Sequence, residues 1–231
     1  KKRQELDDFL RNKMLDDPKY SPTRQVITLS DYIALPREDG SIIYVAKERS
    51  HLGSTWYDCH KGLQAKGARM LLIPEFLDLL RVLQSRNVKD GLGNKLSPLE
   101  VDTLYKEITE RRSPWRGEWL DADFKVINGV LHINYRHQVQ SDGVLIPQVS
   151  ERLETCVIKN SYVDLLGSAN RQGLPTKTSE KRDFYFCYPI SDNNSVAGFF
   201  ANNDWVYLYC IGAPMNTNAS LGVRAVREIQ L

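Results

Sequence analysis

The sequence has no long apolar run, no marked excess of either charge and no closely spaced cysteine pair. Its longest apolar stretches fall well short of the ~20 residues that a membrane-spanning helix needs, so we expect no membrane insertion. The 31 basic and 29 acidic residues leave a net charge of +2, which is too small to favour nucleic acid as a partner. Composition therefore disfavours the membrane-spanning and the basic nucleic-acid-binding classes.

Cysteine is scarce and scattered. The four cysteines are Cys59, Cys156, Cys187 and Cys210. None has the C-x-x-C spacing, which argues against a zinc site and against a dense disulfide scaffold. Because a free cysteine behaves as a small apolar residue, we expect buried free thiols, although the count also permits one or two disulfides.

Candidate catalytic residues form no convincing pattern. Asp121 and Asp123 are two residues apart and would share one face of a strand, but we expect solvated acids in a loop or at a strand edge. His60 follows Cys59 on a predicted helix, where neighbouring side chains point about 100° apart and are poor partners. We expect no catalytic residue and no cofactor.

Metal ligands are equally sparse by spacing. The four histidines offer only one zinc-like pair, His132 and His137, which would need two further ligands. Asn203-Asp204-Trp205 contains oxygen ligands that suit Ca²⁺, but a solvated turn is the expected interpretation. We therefore predict no metal site.

The remaining composition is that of an ordinary globular domain. At 231 residues, 42% apolar and 26% charged, the chain can bury one core, and we predict a single domain over residues 1–231. Helical patterns dominate its first half and strand patterns its last third. This order indicates the α+β class rather than an alternating α/β sheet.

Four helices are predicted from periodicity and capping signals. Ser54 is the expected N-cap of the second helix and Gly67 its positive-φ end. Ser97 and Glu100 have capping-box spacing at the start of the fourth. The predicted helices cover residues 5–15, 55–66, 74 to about 83, and 98 to about 111.

Strands are predicted where aromatic and β-branched residues cluster between turn residues. Asp39-Gly40 and Asn128-Gly129 mark two hairpin turns. Leu145 to Cys156 is ambiguous, and 151–155 could form a short helix. The predicted strands are 25–29, 41–46, 126–135 (broken by the turn), 184–188, 196–200, 205–211 and 223–229.

Three segments resemble a known family. Trp56 to Leu80 (W-Y-D-C-H-K-G-L-Q-A-K-G-A-R-M-L-L-I-P-E-F-L-D-L-L) is similar to the helix, Gly-turn, arginine and Glu-Phe helix block of the formylglycine-generating-enzyme branch of C-type lectin folds. The usual Thr before the Glu is replaced here by Pro74. Ser195 to Phe200 (S-V-A-G-F-F) and Leu221 to Val226 (L-G-V-R-A-V) are similar to later strands of that fold.

The last two segments, with the stretch between them, resemble variable proteins of diversity-generating retroelements. In that family a reverse transcriptase copies a template with errors at adenines near the end of the coding sequence. The usual targets are Asn codons, so exposed residues change while the fold is kept. The resemblance implies a C-type-lectin-like fold, with two helices flanking a twisted antiparallel sheet. It also implies an insertion within about 85–183 and a variable ligand-binding region at about 196–224.

The residues of that region support a recognition surface on physical grounds. On a strand, Val206, Leu208 and Cys210 share one apolar face, and Trp205, Tyr207 and Tyr209 share the other. Tyr and Trp give wide contact area at low entropic cost and keep a polar tip. We predict the ligand-binding residues Asn202, Asn203, Asp204, Trp205, Tyr207, Tyr209, Ile211, Ala213, Met215, Asn216, Thr217 and Asn218.

Two simpler interpretations compete with that prediction. The strand could be buried on both faces, with the rings filling a core. The asparagines could serve the turns, because Asn tolerates the left-handed conformation. The residues interpreted as scaffold are Leu208, Pro214, Leu221, Gly222 and Arg224, with Arg224 in a structural ionic or hydrogen-bonded contact.

The expected function is non-catalytic attachment to a macromolecular ligand. The resemblance implies a cell-surface protein or glycan as partner, and a location on a virion or cell surface. One alternative is a carbohydrate-binding lectin without diversification. Another is a relative of the formylglycine-generating oxidases, which use a close cysteine pair near the C-terminus. Here only Cys210 lies in that region, while Cys187 is distant in sequence.

Overall fold

Eleven strands of one sheet and three α-helices make up residues 28–228, the part of the chain that this computed structural model describes. The helices are α1 (Trp56–Gln64), α2 (Ile73–Ser85) and α3 (Pro98–Thr109). The strands are β1 (Tyr32–Pro36), β2 (Ile42–Ser50), β3 (Arg69–Met70), β4 (Arg116–Ile127), β5 (Val130–Val139), β6 (Leu145–Arg152), β7 (Ser161–Val163), β8 (Phe184–Cys187), β9 (Ser195–Ala201), β10 (Val206–Gly212) and β11 (Leu221–Arg227).

The three helices within residues 28–228 fall where the capping signals predict them. Thr55 caps α1 rather than Ser54: its Oγ1 accepts the Asp58 N–H at 3.0 Å. Gly67 ends that turn with φ +64, as predicted. Ser97 accepts the Glu100 N–H at the start of α3. The predicted helix at 5–15 lies outside the described residues.

The two predicted hairpin turns are present. Asn128 and Gly129 both have positive φ and join β4 to β5, where Ile127 pairs with Val130. Gly40 has φ +82 in the turn between β1 and β2. The first strand of that hairpin is 32–36 rather than 25–29. Of the predicted 25–29 strand only Thr28 and Leu29 are described, and Leu29 starts a short 3₁₀ turn.

The ambiguous segment 145–156 is a strand over most of its length. The predicted short helix at 151–155 is wrong, because Glu151 and Arg152 pair with Ile133 and His132 of β5. Cross-strand pairing therefore overrides the weak local helical preference.

The sheet is mixed, which corrects the expected antiparallel sheet with two flanking helices. Its main path runs β1-β2-β11-β4-β9-β10-β8-β7, with β5 and β6 continuing from β4, and β3 beside β11. β10 is parallel to β8, and β11 is parallel to β4. β10 and β8 are parallel because β10 lies between β8 and β9 in the sheet, although it follows both of them in the chain. The mixed α and β character expected from sequence is confirmed.

Alternate side chains of the sheet build two cores. Phe199 lies in the larger core with α2 and α3, and its ring is 4.8 Å from that of Phe76. Phe200, the next residue, belongs to a smaller core with Trp56 of α1 and Trp119. The two faces of the central sheet are thus covered differently: α2 and α3 lie on one, and α1 covers part of the other.

Arg224 confirms the prediction of a structural contact. It is 2% exposed, and its Nε donates to both carboxylate oxygens of Glu118 at 2.9 and 3.1 Å. Its Nη2 donates to Glu107 at 2.6 Å, and Nη1 to the Lys47 carbonyl. Arg116 also donates to Glu118. This buried ionic network joins β2, β4, β11 and α3.

A second ionic contact joins Arg69 of β3 to Glu75 of α2. Arg69 donates through Nη1 and Nη2 to the two oxygens of Glu75, both at 2.7 Å. Glu75 in turn accepts the Leu72 N–H at the start of α2.

No helix within 28–228 is long and apolar enough to cross a membrane.

Candidate recognition surface

Strand β10 alternates between buried and half-exposed side chains along its whole length. Val206, Leu208 and Cys210 are at most 4% exposed and pack in the larger core. Tyr207 and Tyr209 are half-buried on the opposite face, next to Trp205, which is 39% exposed. The predicted alternation is confirmed, and the alternative in which the rings fill a closed core is not.

The rings of β10 belong to a wider aromatic array. Tyr162 of β7, Tyr185 of β8, Tyr207 of β10 and Phe200 of β9 lie side by side in register across four neighbouring strands. Trp205 stacks on Tyr185, with ring centroids 5.3 Å apart and planes at 21°. Because Tyr162 and Tyr185 are distant from β10 in sequence, their membership could not be predicted.

Phe200 forms the floor of this array. It is 6% exposed, stacks on Tyr207 at 5.6 Å and meets Tyr209 edge-on at 5.4 Å. Its ring covers two glycines: a Cβ on Gly198 would lie 2.5 Å from the ring, and one on Gly117 would lie 2.6 Å away. The absence of side chains at those positions lets the ring lie flat on the sheet.

The aromatic array, defined as Tyr162, Tyr185, Phe200, Trp205, Tyr207 and Tyr209, continues the face that α1 covers only in part. Tyr207 and Tyr209 pack against the edge of the smaller core that contains Trp56 and Trp119. Burial raises the pKa of Tyr207 to about 12 and also raises that of Tyr209. Both hydroxyls therefore stay protonated at neutral pH and can donate hydrogen bonds to a ligand.

None of the twelve predicted ligand-binding residues is buried. Met215 is 66% exposed, and the loop around it is open to solvent. Those that are half-buried are Asn202, Tyr207, Tyr209 and Ile211; those that are exposed are Asn203, Asp204, Trp205, Ala213, Met215, Asn216, Thr217 and Asn218.

Three of the asparagines serve turns, as the simpler interpretation proposes. The side-chain oxygen of Asn202 accepts the N–H groups of Asp204 and Trp205. Asn216 and Asn218 accept backbone N–H groups two residues ahead, at 2.9 and 2.8 Å. Each keeps its NH₂ group for other partners, so a turn role and a contact role are compatible.

The four cysteines are free, as expected from their spacing. Burial raises the pKa of Cys59 to about 12 and that of Cys187 to about 11. Cys187 pairs in register with Tyr209, so the fold brings it beside β10 despite the separation in sequence. Its side chain lies on the Tyr209 face, whereas that of Cys210 lies on the other.

A cluster of possible metal ligands forms away from the aromatic array and was missed by sequence spacing. His60 of α1, Asp121 of β4 and His137 of β5 are each at most 4% exposed, and their ligand atoms lie within 4.8 Å of one another. Nδ1 of His137 is 2.5 Å from Oδ1 of Asp121. His60 Nε2 is 3.7 Å from the same oxygen.

This cluster corrects the expectation of solvated acids at Asp121 and Asp123. Asp121 is 1% exposed, and the side chain of Asp123 is 14% exposed. Burial lowers the pKa of His60 to about 4, so its imidazole is neutral at physiological pH. The three residues lie on three different elements, so no linear motif in the sequence predicts the cluster.

No family model, no curated protein and no solved structure matches this chain.

Proposed function

We propose that this protein is a non-catalytic recognition protein that binds a macromolecular ligand through the aromatic array and its flanking loops. The observation that carries the proposal is the row formed by the half-buried rings of Tyr207 and Tyr209 on β10 and the exposed ring of Trp205 just before it, with the other face of the strand in the core. Such rings lose little rotamer entropy on binding and combine apolar area with polar tips. They are also enriched among residues that dominate binding energy.

The ligand that fits this surface is a protein or glycan on a cell surface. The array is broad rather than enclosed, which suits a macromolecule better than a small metabolite held in a cavity. Asn203 and Asp204, which directly precede Trp205, are exposed polar residues, of the kind that form the polar rim of an interface. A virion or cell-surface location is the setting in which such attachment operates.

We further propose that the chain has a C-type-lectin-like fold and is a variable protein of a diversity-generating retroelement. The proposal is supported by the division of the C-terminal region into a buried frame and an exposed loop. Leu221 to Arg224 are buried, whereas residues 215–219 are exposed. A Cβ on Gly222 would lie 2.8 Å from the Ser50 carbonyl oxygen, so the frame tolerates little change while the loop tolerates much.

Flanking DNA provides the direct test of diversification. We expect a near-copy of the segment that encodes about 196–224, differing at adenines, together with a reverse transcriptase gene. Sequencing the genomic neighbourhood decides the matter, and a neighbourhood without either feature contradicts diversification while leaving recognition to be tested by binding.

Binding is tested by alanine substitution on the aromatic array. The test ligands are a panel of cell-surface ectodomains and glycans. We expect Trp205→Ala, Tyr207→Ala and Tyr209→Ala to abolish binding to the members of the panel that the wild-type protein binds. Because Tyr207 and Tyr209 are half-buried and Trp205 is exposed, each change should lower the free energy of unfolding by at most about 2 kcal/mol, less than the ~3–5 kcal/mol of a buried aromatic truncation. Thermal melts measure the second effect.

Two control variants frame that experiment. Leu99→Ala removes a side chain that is 77% exposed on α3, beyond the opposite face of the sheet, and should leave binding unchanged. Leu208→Ala, at 0% exposure on the inner face of β10, should cost about 2–5 kcal/mol of stability. The proposed surface is contradicted if the alanine variants of the aromatic array keep full binding. Binding to glycans alone, dependent on Ca²⁺, would favour an undiversified lectin instead.

A further inference from the structure

We propose that His60, Asp121 and His137 bind one divalent transition-metal ion, with zinc as the natural occupant, between α1 and the β4–β5 hairpin. Two imidazoles and a carboxylate are the donor types that zinc takes in proteins. The same two-histidine, one-carboxylate set also suits other first-row ions, so Co²⁺ can serve as a spectroscopic probe. The ion would bind whether or not the proposed recognition function holds.

The state of His60 is the first observation that points to an ion. Its ring is 1% exposed, yet neither Nδ1 nor Nε2 has a hydrogen-bond partner. Buried polar atoms in native proteins are nearly always paired, and an unpaired one costs free energy. A metal–nitrogen bond from Nε2, the atom nearer Asp121, would give that nitrogen a partner.

The carboxylate of Asp121 is held so that one oxygen faces both imidazoles. Its Oδ2 accepts the backbone N–H of His137 at 3.1 Å. Its Oδ1 faces both imidazoles, at 2.5 Å from His137 Nδ1 and 3.7 Å from His60 Nε2. One oxygen is therefore oriented by the backbone, and the other is aimed at the point where an ion would lie.

A second layer of side chains supports His137 from behind. The Nε2 of His137 lies 3.8 Å from Oδ1 of Asp123, and that oxygen accepts the Asn134 amide at 2.6 Å. Metal-bound histidines typically direct their second nitrogen at a carboxylate fixed by further hydrogen bonds. With Nδ1 turned to the ion, Nε2 would face Asp123.

Only small movements are needed to complete the site. In a tetrahedral zinc site with bonds of ~2.0–2.1 Å, neighbouring donor atoms are roughly 3.4 Å apart. The ion replaces the short contact between His137 and Asp121, and the His60 ring closes from 3.7 Å. The rings of His60 and His137 both meet Trp56 edge-on, at 4.3 and 4.9 Å, which limits their other motions.

A metal here would connect the core to the loop that contains Met215, one of the predicted ligand-binding residues. The N–H of Trp56, at the start of α1, donates to the Pro214 carbonyl at 2.8 Å. Pro214 lies between Ala213 and Met215, two of the exposed loop residues. By fixing α1 on the β4–β5 hairpin, the ion would hold one anchor of that loop in place.

The test uses the full chain, freed of metal by a chelator and titrated with Zn²⁺ and with Co²⁺. We expect one ion per chain by calorimetry, a rise in the melting temperature on adding Zn²⁺, and a Co²⁺ visible spectrum without a thiolate charge-transfer band. His60→Gln and His137→Gln should each weaken binding by more than tenfold. His132→Gln is the matched control, because His132 lies on the same strand as His137 but outside the cluster, and its Nδ1 is hydrogen-bonded to the Val130 carbonyl.

Asp123→Asn keeps the experiment decisive if a ligand variant fails to fold, because it removes only the supporting carboxylate. It should weaken Zn²⁺ binding by about 10–100-fold with an unchanged far-UV circular dichroism spectrum. The proposal is overturned if neither ion binds at one equivalent, if His60→Gln binds as the wild type does, or if the Co²⁺ spectrum shows cysteine ligation. Equal loss in His132→Gln would also overturn it.

Discussion

At the scale of single residues, two glycines let the Phe200 ring pack closely on the sheet beneath the aromatic array. The ring covers Gly198 and Gly117 and supports Tyr207 and Tyr209 from below. An aromatic ring over a strand glycine offsets the packing that the glycine lacks. The glycines are thus required by close approach rather than by an unusual backbone angle.

Gly198→Ala should destabilise the protein by about 1–3 kcal/mol, because the new methyl group would overlap the Phe200 ring and the core cannot expand. Urea titration measures the change. In a Phe200→Leu background the same substitution should cost less, since the smaller side chain leaves room. A double-mutant cycle with no coupling between the two positions would contradict this account of the array.

At the scale of elements, β10 and α3 show how local sequence fixes both identity and orientation. β10 has apolar and aromatic side chains in strict alternation, so its buried face follows from period two. α3 begins at Pro98 after Ser97, whose hydroxyl accepts the Glu100 N–H at 3.2 Å. Acidic Glu100 in the first turn also suits the positive end of the helix dipole.

Ser97→Ala should lower the free energy of unfolding by about 1 kcal/mol through loss of the N-cap. Thr103→Ala, at an exposed position within the same helix, is the control and should be neutral or slightly stabilising, since alanine has the higher helix propensity. Chemical denaturation of both variants provides the comparison. Equal losses in the two would show that capping does not account for the effect.

At the scale of the whole molecule, the buried ionic network around Glu118 joins parts of the chain that are far apart in sequence. Burial alone would raise the pKa of Glu118, but Arg116 and Arg224 outweigh it and lower the pKa to about 2. A carboxyl group with a lowered pKa in the folded state stabilises the protein fully above its ordinary value of 4.5. That stabilisation is lost as the pH falls from 4.5 towards 2.

The wild-type protein should therefore lose about 3 kcal/mol of stability from this group alone between pH 4.5 and 2. Glu118→Gln should be less stable at pH 7, because two buried arginines lose one of their two carboxylate partners, and its stability should depend less on pH in that window. Melting temperatures from pH 7 to 2 measure both effects. Glu180→Gln, at an exposed position, is the control and should follow the wild-type curve.

Much of the fold could be predicted because its signals are local. The caps of α1 and α3, the Asn128-Gly129 turn and the alternation of β10 each depend on residues a few positions apart. Predictions failed where partners distant in sequence decide. The strand pairing of Glu151 overrides a weak helical preference, and the return of β10 between β8 and β9 makes the sheet mixed.

The candidate sites divide along the same line. By itself, the sequence determined that Tyr207 and Tyr209 share one face of a strand, because side-chain direction alternates with a fixed period. It also determined that Arg224 makes a structural contact, because a charge inside an apolar strand needs a partner. Only the tertiary structure decided that Tyr162 and Tyr185 extend the array, that Glu118 is that partner, and that His60 meets Asp121 and His137. Those groups come together through sheet order and helix packing, and the interactions that fix these act between segments far apart along the chain.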